Sequence, residues 1–420
     1  MHIGMVLDIN KRFPPDIRVE KEMMALAKAG HRITIITRRV PSDSALEEEL
    51  IPGQVYVQRA VIEDINFINR FKKAFLLIEK GWISHLDNFI MNNQLDIMHV
   101  HDFKMVPTVV SVAKRRKIPV VADLHENMPA VFVARRSNFP ALKKIRHSIV
   151  NNYNLWRWQE SKKLKKCEKV IVVVPEAAER LKHYGLEKNK IVIVSNTEDE
   201  TTFKFRLENA DQKVMKRYGK SWMISYIGGI GPHRGVDTVI NAMPSVISYI
   251  PNVKLVIVGA RDIDREHLQN MINRIGIENY VEIIEWQTFD KVNSFMLASK
   301  VCLIPHKNFE HTQTTVPHKL FQAMICSRPV LVSNCKPLKR IIGDCNAGCI
   351  FKAEDSVDLG EKIIYMYKNP EKLKIMGQNG QRAALGKYSW RNDAKRLVEM
   401  YGNLEKKSVR KTQKKLKSRD

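Results

Sequence analysis

Twice along this chain, short β-prone apolar runs alternate with segments of helical length, and this repeat restricts the fold more than any other feature of the sequence. In the first half the strand candidates are His2 to Leu7, Arg32 to Thr37, Asp96 to Val100, Pro119 to Leu124, Lys169 to Val174 and Lys190 to Val194. A helix over about Ile17 to Ala29 sets Val19, Met23, Met24 and Leu26 toward one side and stops at Gly30, which suits a C-terminal cap. After an irregular polar segment over Asn196 to Asp211 the alternation restarts. Its strands are Met223 to Ile227, Lys254 to Val258, Val281 to Glu285, Val301 to Pro305 and Pro329 to Ser333, separated by helices such as Val236 to Tyr249, Arg265 to Ile275 and Lys319 to Ile325. Parallel strands need crossovers, usually helices, so the expected class is α/β with parallel, doubly wound sheets. At 420 residues the chain exceeds one ordinary domain of this kind. Two Rossmann-like domains facing across a cleft are expected over 1–200 and 201–385. A final helix over 386–404 and a basic, disordered tail over 405–420 complete the expectation.

Composition narrows the function classes. Met1 to Leu7 has no basic leader or small-residue cleavage site, and no run approaches the ~20 apolar residues of a membrane-spanning helix, so a cytoplasmic location is expected. The six cysteines (Cys167, Cys302, Cys326, Cys335, Cys345, Cys349) form no CxxC pair and suit reduced thiols; Cys345 and Cys349 are a weak metal pair, and no metal is expected. Lys and Arg outnumber Asp and Glu by 70 to 45, for a net charge of +25, which implies an anionic partner. Nucleic acid, anionic lipid and phosphorylated substrates all satisfy that requirement.

Two segments carry recognisable chemistry. Ser225-Tyr-Ile-Gly-Gly-Ile-Gly-Pro-His-Arg-Gly235 ends a strand, turns on glycines and enters a helix. Its free amides, the helix N-terminus and Arg234 suit a diphosphate, although the third position of a GxGxxG fingerprint is Arg234 and a purely conformational turn has the same glycines. In Thr314-Thr-Val-Pro-His-Lys-Leu-Phe-Gln-Ala-Met324 a polar loop enters a helix with Pro317 near its first turn, so amides and Lys319 point to one region. A capped surface helix with a solvated lysine is the alternative.

Gly228 to Gly235, then Pro317-His-Lys-Leu-Phe-Gln-Ala-Met324 and Arg328-Pro-Val, together resemble the donor-binding half of the retaining GT-B glycosyltransferases of family 4. The first half agrees through Pro14-Pro-Asp-Ile-Arg-Val-Glu-Lys-Glu22, His99-Val-His-Asp102 and Asp123-Leu-His-Glu126, and Tyr388-Ser-Trp390 opens the family's final helix, which crosses back onto the first domain. The resemblance implies transfer of a sugar from a nucleotide-sugar donor, a UDP-sugar by preference, with retention of anomeric configuration and no metal or other cofactor. It places Arg234 on the donor diphosphate, Gln322 on the ribose at the second acidic position of E-x7-E, and His125 as the catalytic residue facing the donor sugar. Gly228, Gly229, Gly231, Thr314, Thr315 and Lys319 complete the donor site, with Arg18, His101, Asp102 and Glu126 as further cleft residues. The sequence departs from the family at several points. Thr314 or Thr315 stands at the first acidic position, Gly229 replaces the second basic diphosphate residue, and Pro14-Pro15 replaces the usual Gly-Gly. Lys319 and Arg18 are the candidates to restore the positive charge.

The first domain, which takes the acceptor in this family, also contains two basic-aromatic stretches. Ile65 to Ile90 carries Phe67, Phe71, Phe75, Leu76, Trp82 and Phe89 among Arg70, Lys72, Lys73 and Lys80; Arg135 to Lys166 carries Phe139, Trp156 and Trp158. Apolar faces edged by cations suit an anionic leaflet, so a glycan or lipid-linked acceptor and peripheral membrane contact in surface polysaccharide or glycolipid synthesis are expected, and nucleic acid is not. Aromatics buried beneath a solvated basic face would give the same pattern. A nucleotide-sugar epimerase of the same fold and a non-catalytic binding protein are the competing functions.

Overall fold

The computed structural model describes residues 1–62, 77–137 and 139–417 and resolves into two compact units. Unit 1 comprises Met1–Ser195 with Asp393–Asp420, and unit 2 comprises Asn196–Asn392. Two mixed α/β units with parallel sheets are what the alternating pattern predicts. Phe67, Arg70, Phe71, Lys72, Lys73, Phe75 and Leu76 of the first basic-aromatic stretch lie outside the described residues.

In unit 1 the strands β1 (His2–Leu7), β2 (Arg32–Arg38), β3 (Glu47–Ile51), β4 (Val55–Ala60), β5 (Ile97–His101), β6 (Val120–Leu124), β7 (Lys169–Val172) and β8 (Ile191–Ile193) form one sheet in the order β3-β4-β2-β1-β5-β6-β7-β8. All neighbours are parallel except the β3–β4 pair. That hairpin was not foreseen, because Glu47, Glu48 and Glu49 are poor strand formers and the turn residues Pro52-Gly53 lie between two short runs. The helix Ile17–Lys28 starts where the Asp16 carboxylate accepts from the Val19 amide. Val19, Met23 and Leu26 are buried against the sheet, whereas Met24 turns outward, contrary to its expected place on that face.

In unit 2, β9 (Trp222–Ile227), β10 (Val253–Ala260), β11 (Val281–Glu285), β12 (Val301–Ile304), β13 (Val330–Ser333) and β14 (Gly348–Phe351) run parallel in the order β11-β10-β9-β12-β13-β14. The helix Val236–Tyr249 buries Val239, Ile240, Met243 and Val246 over Ile224, Tyr226, Leu255 and Ile257 of the sheet. Strand order reverses between β9 and β12, so the carboxyl ends of these two strands flank the crevice in which open α/β sheets take ligands.

The helix Trp390–Lys417 corrects one expectation. Residues 405–417 continue it rather than forming a disordered tail, since the lysine- and arginine-rich sequence contains neither Gly nor Pro beyond Gly402. All six cysteines are free. No described helix is long and apolar enough to cross a membrane.

Candidate active site

The glycine-rich turn leaves β9 at the reversal point, and two backbone contacts fix it there. Gly228, at φ +127°, donates its amide to the Val258 carbonyl at 2.8 Å, and Gly259, at φ +103°, approaches so closely that a Cβ would stand 3.0 Å from the Gly228 carbonyl. Gly235, at φ +70°, lies against the loop after β12, where a Cβ would meet the Pro305 oxygen at 1.8 Å. Lys307 closes the loop by donating its amide to the His233 carbonyl at 3.0 Å and its ammonium to Asp237 at 2.5 Å. Glycine is therefore obligatory at 235 for steric reasons, whereas Gly229 has open space around it and leaves backbone accessible.

Two cations converge on this turn. Lys319, from the first turn of the helix His318–Ile325, has its ammonium 3.6 Å from the centroid of the Tyr226 ring and lies under Gly228. Arg234 donates from Nη1 to His306 Nε2 at 3.0 Å. His306 accepts because it is neutral; burial and the neighbouring Arg234 and Lys319 hold it well below the usual histidine range. Burial, reinforced by Arg234, likewise lowers the Lys319 ammonium well below its ordinary value. Among the described residues no carboxylate lies within ion-pair distance of Arg234 or Lys319, so a diphosphate drawn to Arg234 would also favour the charged form that burial takes from Lys319, an arrangement suited to that ligand.

One turn further on, the structure supplies an acid that the sequence pattern lacks. Gln322 donates from Nε2 to Glu198 Oε2 at 3.0 Å, and His318 Nδ1 lies 3.5 Å from Glu198 Oε1. Glu198 is buried and follows β8 in what reads as irregular polar sequence, so nothing in its local context marks it. Thr314 is buried and spends its hydroxyl on the Glu310 and His311 carbonyls, making it a loop fastener, and Thr315 is buried beside it. Gly231 abuts the His233 ring.

Unit 1 contains a second polar centre at the carboxyl ends of β5 and β6. Its hub is Asp123, which receives Arg18 bidentately at 3.0 and 2.7 Å, His125 Nε2 at 2.7 Å and His101 Nδ1 at 3.2 Å. Arg18 also meets Glu22 at 3.0 Å and the Val194 carbonyl at 3.2 Å. His99 lies 3.4 Å from Glu22, and its Nδ1 is 2.8 Å from the Tyr401 hydroxyl of the last helix. Burial alone would raise the Asp123 carboxyl, but Arg18 and His125 outweigh it and hold it well below the usual range. Burial likewise opposes protonation of His125, yet Asp123 and Asp102 lift it to about 9. His101 is driven to about 3 by burial and the adjoining His99, and Glu22 is raised to about 7 chiefly by burial. His125 keeps 18% of its side chain accessible, so this protonated ring is what the cluster shows to a ligand.

These contacts correct three expectations. Arg18 is buried and neutralised by Asp123 and Glu22, so it cannot replace the missing diphosphate cation. His101 is buried rather than lining an open surface. Glu126, which its place next to His125 in the sequence offers as the group to orient that ring, faces Arg135 at 4.0 Å, and Asp123, whose importance the sequence did not reveal, orients His125 instead. Asp102, at φ +63°, approaches His125 Nδ1 at 3.8 Å. Glu22, His99, His101 and Asp123 form the group of described residues able to surround a metal ion, but Arg18 already occupies both carboxylates.

Of the basic-aromatic stretches, Trp82 and Phe89 are core residues, as is Trp156, while Trp158 is exposed.

Comparison with known proteins agrees with this fold. Residues 208–383 match the family Glycosyl transferases group 1, and residues 19–200 match Glycosyltransferase Family 4. An uncharacterized glycosyltransferase of Methanocaldococcus jannaschii is 21% identical over 83% of this chain and 86% of its own length. A D-inositol 3-phosphate glycosyltransferase of Segniliparus rotundus is 22% identical over 54% of this chain, which spans only 50% of that relative's length. Among solved structures, sucrose-phosphate synthase of Thermosynechococcus elongatus superposes with TM-score 0.76 at 15% identity, covering 96% of this chain and 98% of its own. Anabaena HepE in complex with UDP-glucose does so with TM-score 0.72 at 14% identity, covering 96% and 100%. With two Rossmann-like units and both halves matched, the chain belongs to the GT-B glycosyltransferases of family 4, group 1.

Proposed function

We propose that this glycosyltransferase moves a sugar from a UDP-sugar to a glycan or lipid-linked acceptor, with retention at the anomeric carbon, in the synthesis of a surface polysaccharide or glycolipid. The observation carrying the donor half is the pairing of Arg234 and Lys319, unmatched by any described carboxylate, at the strand-order reversal. Support for uridine comes from neighbours whose structures hold UDP or UDP-glucose. As the bond from C1 to the phosphate oxygen breaks, the acceptor hydroxyl bonds to C1 on the same face and passes its proton to the departing diphosphate. Negative charge grows on the leaving group in that step, and the two cations and the amides of the helix His318–Ile325 meet it already in place, which lowers the barrier. Neutral His306 holds the Arg234 guanidinium without competing for it. The Gln322–Glu198 pair offers both a donor and a carboxylate to ribose hydroxyls, in place of the acid absent from the helix. His125, protonated and accessible, is assigned the catalytic role at the donor sugar, and no metal or other cofactor enters the scheme. The expected location is the cytoplasmic face of an anionic membrane.

The test is product analysis by NMR with a panel of UDP-sugars and candidate acceptors. An acceptor-bound sugar with the donor's anomeric configuration supports the reading; an inverted product removes the retaining mechanism. An epimerised sugar formed without acceptor favours the epimerase alternative.

A further inference from the structure

The helix Ala141–Val150 contains no buried residue, an unusual state for a helix whose sequence includes Leu142, Ile145, Ile149 and Val150. Leu142, Ile145 and Ile149 are 84%, 59% and 60% exposed. With residues turned by about 100° each along a helix, these three fall within a ~60° arc, and the arc's centre lies ~180° from His147. His147 faces the body of unit 1, where it packs edge-on against Phe132 and Phe139 at 6.0 and 5.3 Å. The apolar stripe therefore points away from the body of unit 1.

Charge accompanies the stripe. Lys144 and Arg146 lie to either side of it on the wheel, and Lys143 sits over the Phe139 ring at 4.6 Å. From 135 to 166 there are ten Lys and Arg against one acid, Glu160, which is buried and bound to Arg180 at 2.6 Å. Exposed Trp158, with Lys162 over its ring at 4.4 Å, extends the same character to the next helix, Tyr153–Leu164.

We propose that the outward face of the helix Ala141–Val150 docks on an anionic lipid bilayer, lying in the plane of the headgroups with Leu142, Ile145 and Ile149 inserted. A narrow apolar arc flanked by cations, in a stretch over 135–166 whose one acid is buried and paired, complements a negatively charged leaflet. At ten residues the helix lies on the leaflet without spanning it. The inference deepens the membrane part of the proposed function and is read out by vesicle binding, which does not depend on donor binding or turnover.

The experiment is flotation of the full chain with phosphatidylcholine vesicles, with and without phosphatidylglycerol at about one lipid in four. Wild type is expected to float with anionic vesicles, to bind neutral ones weakly, and to dissociate as salt rises from about 0.1 to about 0.5 M. The double variant L142S/I149S should lose flotation, and the triple variant K143Q/K144Q/R146Q should bind on the order of a hundredfold more weakly. All five side chains changed lie outside the core, so circular dichroism and UDP binding should match wild type. Absence of wild-type flotation, or flotation unchanged in both variants, overturns the proposal. So does a change of oligomeric state in L142S/I149S with vesicle binding intact, which would make the face a contact between copies of the chain.

Discussion

Replacing His125 with glutamine removes the charge that Asp123 and Asp102 maintain while leaving a group able to donate to Asp123. The histidine is raised from 6.5 to about 9 in the folded chain. A folded-state value above the unfolded one stabilises the protein fully below about pH 6.5, and that stability disappears as pH rises through about 9. At about pH 7 the protonated ring contributes about 2.5 kcal/mol by this linkage, and at about pH 10 almost nothing. Urea unfolding of wild type and His125→Gln at these two pH values should show the gap between them narrowing by about 2.5 kcal/mol. The complementary assay is NMR titration of the histidine Cε1 resonances, in which the signal missing from the variant should titrate near 9. A His125 titrating near 6.5, or a gap constant with pH, would refute the claim that Asp123 keeps this ring charged.

Three further outcomes follow from contacts in the two units. Gly235→Ala places a methyl group 1.8 Å from the Pro305 oxygen at positive φ, so it should cost more than about 2 kcal/mol, whereas Gly229→Ala, in open space, should stay within about 1 kcal/mol; thermal denaturation of both variants distinguishes them. Tyr401→Phe leaves the buried His99 Nδ1 without its partner at 2.8 Å and should destabilise the protein by about 1–3 kcal/mol in urea unfolding. Glu198→Gln removes the carboxylate beside Gln322; calorimetry should show UDP bound roughly tenfold more weakly and inorganic diphosphate unchanged, while equal losses for both would assign Glu198 a purely structural role.

The parts of the fold written in local periodicity were legible. Runs such as Val301-Cys-Leu-Ile304 and helices such as Val236–Tyr249 announce themselves, because burial on both faces requires continuous apolar sequence in one and a 3.6-residue stripe in the other. The short strand Gly348–Phe351 and the glutamate-rich Glu47–Ile51 escaped notice because neighbouring strands, rather than their own propensity, make them extended. That the glycine-rich turn and the segment around Lys319 come together was legible, and Lys319 does join Arg234 there. Partners distant in sequence were not: Glu198 meets Gln322 from 124 positions away, and Arg18 reaches Asp123 from 105. Arg18 read as an available cation because a sequence shows charge but not its neutralisation. Asp123 was passed over because a carboxylate inside an apolar strand is costly to bury until its partners are known.

Arg234 and Lys319 are the proposed diphosphate site. Isothermal titration of the full chain with UDP, GDP and ADP, repeated with Arg234→Ala, tests that claim directly. The prediction is specific binding of UDP in wild type, weakened in Arg234→Ala by at least ~1.5 kcal/mol, roughly tenfold or more. Tight binding of UDP that survives the loss of Arg234, or no binding of any nucleotide, would contradict it.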